Sequence, residues 1–210
     1  MNRTRIKICG FTRADDAAFA AEAGADFIGM VFWPDSPRCV TLDTAADIVR
    51  ALPASVVPVG VFVNQPLDDM RRAVEQAGVQ MIQLHGDESA DLFDHLPCRV
   101  IKAVGVDRGF GPEAVTELPP LVLPLLDVKD PRRRGGTGRA IDWMRAAQAA
   151  RLRPLLLAGG LRPDTVADAV RVVAPFGVDV SSGVEREPGV KDHRHMQVFV
   201  AAVRQADGME

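Results

Sequence analysis

Short runs with apolar residues at alternate positions trade places along this chain with runs where they recur every third or fourth position. The alternating kind predicts strands over 5–10, 27–32, 56–63, 81–86, 99–105, 121–128, 154–159 and 177–182. The other kind predicts helices over 14–23, 44–52, 67–77, 89–96, 112–118, 142–150, 163–173 and 192–205, of which 112–118 is the shortest and least regular. Leu67, Met70, Val74 and Ala77 form an apolar stripe at helical spacing. Asp or Ser stands near several helix starts, and Pro163 before Asp164 suits a first helical position. Strict strand–helix alternation implies parallel strands. Eight repeats of about 26 residues favour closure into a (β/α)8 barrel of the TIM type over an open doubly wound sheet. No linker, low-complexity tract or composition shift divides residues 1–210, so the chain reads as one domain with a frayed end over 206–210.

Closure into a barrel directs attention to the C-terminal ends of the strands, where the βα loops build the site. Strand one, Arg5-Ile6-Lys7-Ile8-Cys9 before Gly10, puts Ile6 and Ile8 on one face and Arg5, Lys7 and Cys9 on the other. A thiol beside an ammonium is one way to make a base, because the cation favours the thiolate. The plainer alternative, and the commoner one for an isolated cysteine, is a small buried hydrophobe. Gln83 and His85 end strand four, Asp127 ends strand six, and Asp179 and Ser181 end strand eight. In strand six, Leu121, Leu123, Leu125 and Asp127 share a face by alternation, which is expected to be the lumen face.

Strand seven runs into Gly159-Gly160, and strand eight into Ser181-Ser182-Gly183. Glycines let backbone N–H groups approach a ligand, and the loops after strands seven and eight are the usual phosphate cradle of such barrels. The segment 129–139 joins Arg132-Arg133-Arg134 to Gly135-Gly136-Thr137-Gly138. Its Gly-rich half reads as the hinge of a lid; the arginines alone read as a solvated charge run.

With 47% hydrophobic and 25% charged residues over 210 positions, the chain can bury a large core. A formal net charge of -3 argues against nucleic acid or an anionic membrane as partner. No apolar run reaches membrane-spanning length and no signal-peptide core opens the chain. Cys9, Cys39 and Cys98 form neither a disulfide framework nor a metal pair, so a reducing cytoplasm is expected. The sequence writes no oligomeric state; a monomer is the default expectation and a homodimer the alternative.

The ordered set Lys7-Ile8-Cys9-Gly10 with Thr12, Gly24-Ala25-Asp26, Ser36-Pro37-Arg38, Gln83-Leu84-His85-Gly86 and Leu126-Asp127 resembles the phosphoribosylanthranilate isomerase family of tryptophan biosynthesis. The likeness continues through Gly135-Gly136-Thr137-Gly138, Asp142-Trp143, Leu157-Ala158-Gly159-Gly160-Leu161, Asp179-Val180-Ser181-Ser182-Gly183-Val184-Glu185 and Pro188-Gly189 with Lys191-Asp192. Ile141, where the family usually has Phe, and the arginine-rich stretch before the Gly-rich loop depart from it; both concern packing or closure rather than proton transfer.

The resemblance implies an Amadori rearrangement of N-(5'-phosphoribosyl)anthranilate, a small phosphoribosyl substrate, with no cofactor and no metal. By resemblance Cys9 is the general base and Asp127 the general acid. An acid in that role must keep its proton, which apolar Leu125 and the substrate's own anionic groups favour. Arg38 resembles the residue that pairs with the anthranilate carboxylate, for which a guanidinium fork is suited. Gly159, Gly160, Ser182 and Gly183 are the phosphate candidates. Gln83 and His85 are expected to line or orient the substrate, and Asp179 to bond its nitrogen or a ribose hydroxyl. Two other readings remain: a different phosphosugar barrel, which Cys9 disfavours, and a non-catalytic phosphometabolite-binding barrel, which would need neither Cys9 nor Asp127.

Overall fold

The computed structural model describes residues 3–107, 109–128 and 141–208. Eight parallel strands close into a barrel: β1 (Arg5–Cys9), β2 (Phe27–Val31), β3 (Val57–Phe62), β4 (Met81–Leu84), β5 (Arg99–Val106), β6 (Leu123–Val128), β7 (Leu156–Leu157) and β8 (Gly177–Val180). The ring is sealed where β8 pairs with β1, Lys7 lying opposite Asp179. The expected barrel is therefore present and the open sheet is excluded.

The helices are α1 (Ala14–Ala23), α2 (Leu42–Arg50), α3 (Leu67–Ala77), α4 (Trp143–Leu152), α5 (Val166–Val173) and α6 (His193–Ala206). Side-chain caps set three of their starts. Thr41 accepts from the Thr44 amide at 3.1 Å, so α2 begins two residues before the periodicity suggested. Asp142 caps α4 and Asp192 caps α6 in the same way. In the fourth and fifth units the expected helices 89–96 and 112–118 are instead 3₁₀ turns over Ala90–His95 and Pro112–Thr116. Pro97 closes the first soon after it starts, and Pro112 and the Pro119-Pro120 pair confine the second, leaving each too short for α-helix. Pro163 likewise does not open α5: a turn closed by the Thr165 amide on the Arg162 carbonyl comes first.

Two sets of apolar side chains divide along the strand alternation. Ile6, Ile8, Ile28, Ile82, Leu126 and Val178 pack outward against the helices. Phe27, Val59, Met81, Ile101, Leu125, Leu156 and Ala158 fill the lumen. Leu123 joins the lumen set, but Leu121 does not: it precedes β6 and is 90% exposed. The chain turns there because Arg153 gathers the carbonyls of Leu118, Pro119, Pro120 and Val122. A hairpin with no counterpart in the sequence reading, β9 (Glu185–Glu187) and β10 (Val190–Lys191), follows β8 around Pro188-Gly189. Among the described residues no helix is long and apolar enough to cross a membrane.

Candidate active site

Alternation puts Lys7 and Cys9 on the lumen face of β1, at the end where the loops gather. Lys7 is fully buried, and its ammonium donates to Asp179 Oδ1 of β8 at 2.8 Å. Asp179 thus has Lys7 as a partner through Oδ1. Burial pushes the Cys9 thiol above its ordinary value; Lys7 and Lys191 draw it down while Asp179 acts with burial. Lys7 favours the thiolate, as its place on the strand face suggests, but burial and Asp179 act against it.

Two glycines make room at this end of the barrel, one for Cys9 and one for Arg38. A side chain at Gly29, the register partner of Cys9 on β2, would begin 2.8 Å from the sulfur. Gly10, with φ of +81°, lies under the Arg38 side chain, whose Cδ is 2.5 Å from where a Cβ would stand. Only a residue without Cβ lets the arginine cross the end of β1. Arg38 then donates from Nε and Nη2 to Glu185, at 2.9 Å to Oε1 and 2.6 Å to Oε2. One edge of its fork is engaged by protein; Nη1 lies on the other.

Across the mouth, Asp127 ends β6 on the same face as Leu125. Its Oδ1 accepts from the Val128 amide at 2.7 Å, and His85 Nε2 lies 3.3 Å from Oδ2. Gln83 Nε2 is 2.9 Å from His85 Nδ1. With the amide as donor, the ring proton sits on Nε2 and faces Asp127. Gln83 and His85 are therefore tied to the acid candidate, and among the described residues Gln83 Oε1 is buried without a hydrogen-bond partner.

The two candidate phosphate loops meet each other. Gly159 and Gly160 both adopt left-handed φ, +83° and +74°. Gly183 packs so closely on the loop after β7 that a Cβ would fall 2.1 Å from the Leu161 carbonyl oxygen. Ser182 opens the short 3₁₀ turn Ser182–Val184 beside it. The expected lid, 129–139, lies outside the described residues.

In the sequence, Lys191 and Glu185 stand out only as members of longer motifs. The Lys191 ammonium is fully buried and donates to the carbonyls of Cys9 and Ser181 and to Glu185 Oε1, the last at 2.8 Å. It also stands 5.3 Å from the centroid of the Phe11 ring. The Pro188-Gly189 turn hints at a hairpin, but no local pattern says that Lys191 points inward.

Comparison with known proteins adds to this geometry. A family model described as "N-(5'phosphoribosyl)anthranilate (PRA) isomerase" matches residues 6–202. The N-(5'-phosphoribosyl)anthranilate isomerase of Geobacter sp. (strain M21) is 45% identical over 203 residues, covering 96% of this chain and 98% of that protein. Phosphoribosyl anthranilate isomerase from Thermus thermophilus superposes with a TM-score of 0.86 at 35% identity, over 96% of this chain and 99% of that one. A phosphoribosyl anthranilate isomerase solved with reduced 1-(o-carboxyphenylamino)-1-deoxyribulose 5-phosphate superposes with a TM-score of 0.81 at 37% identity, over 98% and 100%.

Proposed function

The chain belongs to the N-(5'-phosphoribosyl)anthranilate isomerase family, and from that premise we propose how its residues divide the reaction among them. The reaction itself is the isomerisation of N-(5'-phosphoribosyl)anthranilate to 1-(2-carboxyphenylamino)-1-deoxyribulose 5-phosphate in tryptophan biosynthesis.

In this reading the phosphate rests on the loops of Gly159, Gly160, Ser182 and Gly183, and the anthranilate carboxylate takes the edge of Arg38 turned away from Glu185. Asp127 gives a proton to the furanose ring oxygen as the C1–O bond breaks. That oxygen stays on C4 as a hydroxyl, and the nitrogen lone pair closes to an iminium. Cys9, as thiolate, removes the proton from C2; the C–H electrons move into the iminium and leave an enolamine that tautomerises to the ketone. The iminium is the electron sink, so the proposed steps call on side chains alone. Gln83 and His85 hold the acid, and Asp179 holds Lys7 beside the base. Every one of these groups comes from one chain, which supports a site complete in a single protomer.

The observation that carries the assignment is the placing of Cys9 and Asp127 at the same end of the lumen, on β1 and β6, each within reach of a second titratable group. The test is loss of phosphoribosylanthranilate fluorescence, with the substrate made in situ. Turnover by the parent is expected, and Asp127→Asn is expected to lower kcat by about 10² to 10⁴, the usual weight of a positioned acid. An Asp127→Asn protein with parental kcat would remove Asp127 from the chemistry.

A further inference from the structure

The Lys191–Glu185 pair has no part in the mechanism above, yet it touches the end of β1 at Cys9, the candidate phosphate loop at Ser181 and, through Glu185, Arg38. The lysine directs its ammonium to acceptors from three places: the Cys9 carbonyl at the end of β1, the Ser181 carbonyl at the entry to the candidate phosphate loop, and Glu185. Glu185 passes the connection on to Arg38 through the paired bonds of the guanidinium. The hairpin that carries Lys191 is itself anchored. Its backbone amide donates to Asp16 of α1 at 3.2 Å, the Gly189 carbonyl accepts from Thr12 at 2.6 Å, and the Gly189 amide donates to Glu185 at 3.3 Å. A lysine held at both ends of its side chain cannot move without moving the base, the loop or the arginine.

Stability alone does not call for an ion pair at this place. Desolvating an ion pair costs several kcal/mol, and apolar side chains of similar volume often serve as well or better. The pair instead alters the charge around the thiol. The charged groups bearing on Cys9 are Lys7 from its own strand, Asp179 from β8, Lys191 from β10 and Arg38 from the loop after β2. With Glu185 included, three cations stand against two carboxylates. Lys7 and Asp179 match one another, so the excess positive charge belongs to the cluster built on Lys191.

We propose that Lys191 and Glu185 are positioning residues for the isomerisation, holding Cys9, the loop at Ser181 and Arg38 at fixed separations and setting an unmatched cation behind the thiol. The inference rests on Cys9 as base and Arg38 as carboxylate clamp, and the assays separate its failure from theirs.

The experiment measures steady-state kinetics and, at a series of pH values, the rate of Cys9 alkylation by iodoacetamide. For Lys191→Met, kcat should fall at least about tenfold, and the pH midpoint of alkylation should rise by about one unit, the scale of a lost neighbouring charge. Because Lys191→Met takes one of the two cations from buried Glu185 and could unfold the protein, Lys191→Met/Glu185→Leu removes both charges in a swap that buried pairs commonly tolerate. The double variant should keep the fold by circular dichroism, lose kcat as the single variant does, and add a rise in KM of about tenfold as Arg38 loses its aim. Because it removes one cation and one carboxylate, its alkylation midpoint should stay near the parental value. A folded double variant with parental kcat and KM, or a folded Lys191→Met protein with a parental alkylation midpoint, would overturn the proposal, as would failure of both variants to fold. Cys9→Ser and Arg38→Ala run alongside: a Cys9→Ser enzyme of normal rate refutes the base, whereas the alkylation midpoint of the cysteine-containing variants still reports on Lys191.

Discussion

Both ends of the barrel bury carboxylates against cations, and they do it in opposite ways. At the N-terminal end, Asp26 receives Arg3 and Arg5, with Arg204 nearby and the Ile6 amide donating at 2.9 Å. Arg3 and Arg5 are 40% and 48% exposed, so water still shares their charge. Asp207 does similar work there, accepting from the Thr4 amide at 3.1 Å and ion-pairing with Arg204. These bonds tie the start of β1 to the approach to β2 and the end of α6, with Arg3 and Arg5 left partly in water. At the C-terminal end the cations are Lys7 and Lys191, both fully buried beside a thiol. One end has the electrostatics of a seam, the other those of a reaction site.

Cys9→Ser strikes the second end hardest. An alcohol is a far weaker acid than a thiol, so kcat should fall by about 10³ or more while the melting temperature and the affinity for the reduced product analogue hold. A matching loss of stability would make Cys9 a packing residue and erase the contrast. Asp26→Ala is the mirror test. It should cost about 2–3 kcal/mol, or roughly 4–12 °C in Tm, with kcat unchanged below the transition; a fall in kcat would show that the seam reaches the chemistry. Arg38→Ala should raise KM by about ten- to thirtyfold with a smaller change in kcat, as expected when ground-state binding is lost. Unchanged affinity would refute the carboxylate contact.

The mildest test is pH. Since burial raises the Cys9 thiol, the thiolate fraction is small near neutrality and grows as pH rises. kcat/KM should therefore climb by about tenfold per unit on its acid limb and level off only on the alkaline side. An acid limb that levels off well below neutral pH would mean that the cations outweigh burial.

The period-two pattern made one half of this picture readable. It placed Ile6 and Ile8 against the helices and Lys7 and Cys9 in the lumen, and it put Asp127 on the face of Leu125. What it could not contain is partnership across the chain. Lys7 meets Asp179 only because β8 returns beside β1, and Lys191 meets Cys9 only because a hairpin folds over the mouth. The 3₁₀ turns and Leu121 escape the pattern for a related reason: proline spacing and the reach of Arg153 decide them, not apolar periodicity.

The thiol has its space because β2 carries no side chain beside it, Gly29 lying opposite Cys9 in the register. Anyone grafting this reactive sulfur onto another eight-stranded scaffold must transplant two neighbouring positions together, with their alignment intact. A cysteine copied alone would meet a methyl group and turn aside.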